Sequence, residues 1–98
     1  MTKADVINAI VDETGLLKKD VTVTVEAMMK VIREAMCQDD NVYLRGFGTF
    51  TVKERAAKIA RNISKNTSIE VPAHKYPGFK PAKSFIERMR GEDIVSND

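Results

Sequence analysis

The stretch KERAAKIARNISKNTSIEVPAHKYPGFKPAK, residues 53–83, constrains the fold more than any other part of the chain. It is basic, polar and rich in turn formers, and its aliphatic residues are scattered. A chain of 98 residues buries only a modest fraction of its surface. Placing so long a segment outside the core makes that worse, so sharing a core with a second copy becomes favourable. The segment carries 8 Lys/Arg against 2 Asp/Glu, whereas residues 1–52 carry 6 against 8 and residues 84–98 carry 2 against 4. The overall charge of +2 therefore conceals a cationic block between two acidic parts. A block of this kind predicts a polyanionic partner.

The length allows one domain. Apolar residues make up 43% and charged residues 31%, which suits a globular chain. No run approaches the ~20 apolar residues that span a bilayer. The start, MTKADVINAI, has Asp5 within its apolar stretch and lacks a signal-peptide core, so a cytoplasmic location is expected. The single cysteine, Cys37, supports no disulfide framework and reads as a small, semi-buried hydrophobe.

Thr2 followed by Asp5 makes a looser capping box for a first helix. Ala4, Ile7, Ile10 and Val11 lie on one face of it, Gly15 suits its end, and Leu16 can close back on it. VTVTV (21–25) alternates like a strand. Yet Val21, Val25, Met28, Met29, Ile32 and Met36 form one stripe of helical period, and the longer pattern predicts a helix over roughly 18–38. Val42 and Leu44, then Phe50 and Val52, alternate on either side of Gly46-Phe47-Gly48, which predicts a hairpin with Phe47 turned to the core. The second strand is expected to run on through 53–62 as a protruding arm and turn at Ser64-Lys65-Asn66. It would return over Thr67–Val71 and stop pairing at Pro72. Ten or so residues per strand give an arm of roughly 30 Å. A short helix over roughly 82–90 follows Pro81 and ends at Gly91. The acidic residues 92–98 read as a flexible tail.

A cationic two-stranded ribbon fits a nucleic-acid groove, with binding that depends on salt more than on sequence. Arg61 and Asn62 at the tip suit the minor groove. Ile63 beside them is either an apolar wedge that unstacks a base step or a residue packed on arm neighbours such as Ile59 and Ile69. Lys65 adds a further cation in the turn.

RGFGTF (45–50), KERAA (53–57), RN (61–62), VPA (71–73) and FKPAK (79–83) together resemble the signature of the HU/integration host factor family of bacterial DNA-bending proteins. The arm and its flanks match in length without a gap, the likeness covers essentially residues 1–90, and it implies an α+β fold. It implies two N-terminal helices, a three-stranded antiparallel sheet with a long β-ribbon arm at about 53–75, and a short C-terminal helix. These would form an intertwined dimer, with a DNA-binding domain over 1–91. It also implies that Arg61 and Asn62 act at the arm tip, that Arg55, Lys58, Lys75, Lys80 and Lys83 meet phosphates along arm and saddle, and that Lys3 on the first helix lies near strongly wrapped DNA. Phe47, Phe50 and Phe79 would be core aromatics. Three features depart from the family pattern: Ile63 replaces the intercalating proline, Ala60 and Asn66 replace glycines, and the tail is acidic.

The function that follows is a homodimeric, nucleoid-associated, histone-like protein that binds and bends double-stranded DNA with little sequence preference. Alternatives are one subunit of a site-specific integration-host-type heterodimer, or a basic-arm module for RNA or an acidic protein. RNA suits an inserted wedge less well, because its major groove is deep and narrow and its minor groove shallow. No metal spacing, nucleophile–base pair or phosphate-cradling loop is found, so no enzyme, cofactor, metal or small-molecule substrate is expected. His74, the lone histidine, reads as solvated or phosphate-facing beside Lys75, and Asp39-Asp40 as a turn.

Overall fold

The computed structural model describes residues 1–62 and 67–91, with residues 60–62 and 67–69 placed as backbone only. The chain divides into two compact units at Ala35–Met36, described here in turn.

The first unit holds α1 (Lys3–Thr14) and most of α2 (Lys18–Cys37). The capping box is present in full. The Thr2 hydroxyl accepts from the Asp5 amide at 3.2 Å, and the Asp5 carboxylate accepts from the Thr2 amide at 2.9 Å. The bond from the Thr2 backbone amide, followed by the Thr2 hydroxyl, holds the Asp5 carboxyl below its ordinary pKa. Gly15 ends α1 in the left-handed region (φ 73°), and its N–H donates to the Val11 carbonyl. Leu16, which follows Gly15, is 57% exposed.

VTVTV lies inside α2, where the threonines adapt to the helix. The Thr22 and Thr24 hydroxyls each donate at 2.8 Å to the carbonyl four residues earlier, those of Lys18 and Asp20. Among the described residues the buried large hydrophobics are only Ile7 and Val21. Further along the α2 stripe Met28 is 49% exposed and Met29 40%. Cys37 is exposed rather than semi-buried.

The second unit is built on an antiparallel sheet of order β1-β2-β5, formed by Val42–Leu44, Gly48–Arg55 and His74–Pro81. Gly46 (φ 78°) gives the hairpin turn its left-handed residue, and the Phe47 amide donates to the Leu44 carbonyl at 3.0 Å. The Asn41 side chain accepts from the Val52 amide at 2.9 Å, carrying the pairing past the end of β1. α3 (Lys83–Met89) follows, with Ala82 at its N-cap and Gly91 (φ 77°) just beyond its end. Pro81 closes β5 opposite Gly48 instead of opening α3, as the sequence had suggested.

The arm is not one continuous ribbon. β2 stops at Arg55, and pairing resumes between β3 (Lys58–Asn62) and β4 (Thr67–Val71) as a separate two-stranded sheet. Residues 56–57 on one leg and 72–73 on the other lie between the two sheets. Pro72 has no N–H to give a ladder, as expected. The interruption of the outgoing leg at Ala56-Ala57 and the resumption of pairing at His74 were not expected.

Candidate nucleic-acid interface

Directly paired residues of an antiparallel sheet share a face, and faces alternate along each strand. The register Val42↔Phe50↔Phe79, Leu44↔Gly48↔Pro81 and Val52↔Pro77 therefore makes one face apolar. The register Tyr43↔Thr49↔Lys80, Thr51↔Gly78, Lys53↔Tyr76 and Arg55↔His74 makes the other polar and cationic. The two prolines of β5 are tolerated because it is an edge strand.

All four phenylalanines gather on the apolar side. Phe79 lies 5.3 Å from Phe47, 5.0 Å from Phe50 and 6.5 Å from Phe85, ring centre to ring centre, and Phe47 stacks on Phe85 at 5.4 Å. Gly48 is required beneath them, since a Cβ there would stand 2.6 Å from the Phe79 ring and from the Lys80 carbonyl. Even so, Phe47 is 46% exposed and Phe79 39%. Phe85, absent from the sequence reasoning, belongs to the set through its i+2 position in a short helix that the motif FKPAK does not reach.

On the basic face the Arg55 guanidinium sits 4.8 Å from the centre of the Tyr76 ring. The Lys53 stem passes over Gly78, where a Cβ would meet its Cε at 2.6 Å. At the other end Arg45, Lys80 and Lys83 line one recess together with Tyr43. Lys83 is almost fully exposed and only 3.7 Å from Glu87. Arg45 in this recess and Lys53 on this face were not among the candidates read from the sequence. Arg45 lies outside the basic block, and the face of Lys53 follows only from its pairing.

The other candidate residues occupy separate places. Lys75 is paired with Glu54 on the side opposite Arg55 and Lys80. Its ammonium donates to both Asp39 oxygens, at 2.6 and 2.7 Å. The hydrogen bond to Asp39 raises its pKa above the ordinary lysine value. Lys3, in the first unit, is bound to Glu26 at 3.1 Å. Lys58 opens β3 and is exposed. Arg61 and Asn62 are described as backbone positions opposite Ser68 and Thr67. Ile63 and Lys65, and the tail 92–98, lie outside the described residues.

The elements define a small α+β protein with a basic sheet face that leads into a two-stranded arm. The chain belongs to the family of bacterial DNA-binding proteins, whose family model matches residues 1–90. It is 43% identical over 90 residues to the DNA-binding protein HU of Geobacillus stearothermophilus, covering 92% of this chain and all of that protein. It is 39% identical over 92 residues to DNA-binding protein HU 1 of Bacillus subtilis, covering 94% of this chain and all of that one. Among solved structures it is similar to that of an Anabaena HU–DNA cocrystal, with a TM-score of 0.86 at 34% identity over 91% of this chain and 97% of that one. The fold predicted from the sequence, three helices with an antiparallel sheet and a ribbon, is the fold observed.

Proposed function

We propose that two copies of this chain form a homodimer that binds duplex DNA through the basic sheet faces and the arms, bends it, and serves as a nucleoid-associated, histone-like protein. Membership of a DNA-binding family supports the duplex as ligand. The observation that carries the interface is the division of the β1-β2-β5 sheet into an aromatic face and a cationic face. The half-exposed phenylalanines and the exposed α2 methionines support the dimer, because a second copy gives them the partner they lack within one chain. The domain over 1–91 is the DNA-binding unit. Lys53, Arg55, Lys80 and Lys83, joined by Arg45, hold the duplex backbone, and the arms follow the groove. Arg61 and Asn62 enter the minor groove, and Ile63 wedges between base pairs in place of a proline. Phosphate contacts dominate such an interface, so sequence preference is slight. No catalysis, cofactor or small molecule enters this role.

A gel-shift titration on a duplex of arbitrary sequence across a salt series tests it. Log affinity should fall linearly with log salt, with a slope between about −4 and −7 if four to eight phosphates are neutralised. No binding at low salt, or binding indifferent to salt, rejects the interface. Arg61→Ala with Ile63→Ala should reduce bending, read by end-to-end fluorescence transfer, more than affinity. Unchanged bending removes the wedge. A monomeric mass in solution removes the dimer.

A further inference from the structure

His74 stands where the ribbon is interrupted, and we infer that it is an additional DNA-contact residue that grips a phosphate only after taking up a proton. The inference rests on the basic sheet face being the duplex interface. The side chain is exposed, and its register partner is Arg55, so both project from that face. Its ring lies 6.4 Å from that of Tyr76, over which the Arg55 guanidinium is placed. His74 and Arg55 also share a recess with Ala56 and Ala73, where the ladder stops. A backbone bound there meets a guanidinium and an imidazole side by side.

The hydrogen bond of the ring sets its chemistry. His74 Nδ1 is 3.1 Å from the Pro72 carbonyl oxygen. A carbonyl only accepts, so the hydrogen resides on Nδ1. In the neutral ring Nε2 is then a bare lone pair, which repels a phosphate oxygen. In the imidazolium Nε2–H becomes a second donor, and its bond to a phosphate is charge-assisted. Histidine is the side chain whose charge changes in the neutral range, and a phosphate beside it favours the charged form. DNA binding and protonation are therefore linked: each strengthens the other.

The charged and titratable groups around the imidazole are few. Arg55 and Lys53 stand on β2 and Tyr76 on β5, all on the same face. Glu54 and Lys75, paired with each other, reach the recess from the opposite face. Glu54 is the one carboxylate lining that recess among the described residues, and the ammonium of its register partner Lys75 is held by Asp39.

The test is fluorescence polarisation with a labelled duplex of arbitrary sequence between pH 6 and pH 8.5 at constant ionic strength. It uses the full chain, His74→Gln and His74→Lys. Because protonation and binding strengthen each other, the unaltered chain should bind at least about fivefold more tightly at pH 6 than at pH 8. His74→Gln should be flat near the alkaline limit, and His74→Lys flat near the acid limit. A flat profile in the unaltered chain that still binds DNA, or a slope that persists in His74→Gln, overturns the role of His74 and leaves the interface standing. Absence of binding by all three at low salt overturns the interface and this inference with it.

Discussion

Replacing Phe79 with alanine should destabilise the protein in a way that reveals a second copy. Within one chain the ring is 39% exposed, so roughly three-fifths of its burial is already made. Full burial of such a side chain is worth about 1.5–3 kcal/mol, which puts the buried share at about 1–2 kcal/mol. The two nearer rings, at 5.0 and 5.3 Å, each add about 0.5–1.5 kcal/mol. The loss expected from a single chain is thus about 2–5 kcal/mol. If a partner covers the remaining surface, the loss moves to the upper part of the ~3–5 kcal/mol seen for Phe→Ala in closed cores. Tyr43→Ala is the matched control on the opposite face. Its side chain is 74% exposed, and the change should stay within about 0.5 kcal/mol. Urea unfolding followed by circular dichroism at several protein concentrations reads both effects. The unaltered protein's midpoint should rise with concentration, and Phe79→Ala should lower it at every concentration. A loss below about 1 kcal/mol, or a midpoint indifferent to concentration, would refute the reasoning that the aromatic face is an interior shared by two chains.

Other outcomes follow from single contacts. Gly48→Ala forces a methyl against the Lys80 carbonyl and the Phe79 ring and should cost about 1–3 kcal/mol; an unshifted melting temperature would show that the sheet gives way freely. Thr2→Ala should cost about 1 kcal/mol of helix capping. It should leave most of the acid limb of the stability curve in place, because the Thr2 backbone amide, the main cause of the lowered Asp5 pKa, survives; Asp5→Asn should flatten that limb, since the lowered pKa contributes stability above the unfolded value near 3.8 that is lost as pH falls through the lower folded one. The raised Lys75 pKa contributes stability that is fully present below its unfolded value of 10.5 and is lost as pH rises through the folded one; in Asp39→Asn that alkaline loss should vanish from a pH titration of the melting temperature. Lys75→Ala should change the salt slope of DNA binding less than Lys80→Ala does, and equal changes would return Lys75 to the interface.

The helices were legible in the sequence because their signals are local. Thr2 and Asp5 sit three apart, and the stripe from Val21 to Met36 is long enough to outweigh five strand-favouring residues. The hairpin around Gly46 was legible for the same reason. β5 was harder to read from the residues themselves, since Pro77 and Pro81 argue against a strand until its place at the sheet edge is known. The resemblance carried in RGFGTF and FKPAK implied the three-stranded sheet to which it belongs. Site residues divided on parity. Lys80 and Lys75 look alike in a charge count, yet they differ by an odd number of positions, so one faces outward with Arg55 and the other turns to Asp39. Pairing partners fix that difference, and they come from the far strand rather than from neighbours in the chain.

The gap between the two sheets of the ribbon has a consequence for how this arm can vary. Arg55 pairs with His74 below it and Lys58 with Val71 above it, so two residues are passed over on each leg and the count of partners never slips. A residue added to one leg would hand every position further out a new neighbour, whereas one added to both would leave all the old pairs together. Changes in reach should therefore be found as matched additions or losses on the outgoing and incoming legs.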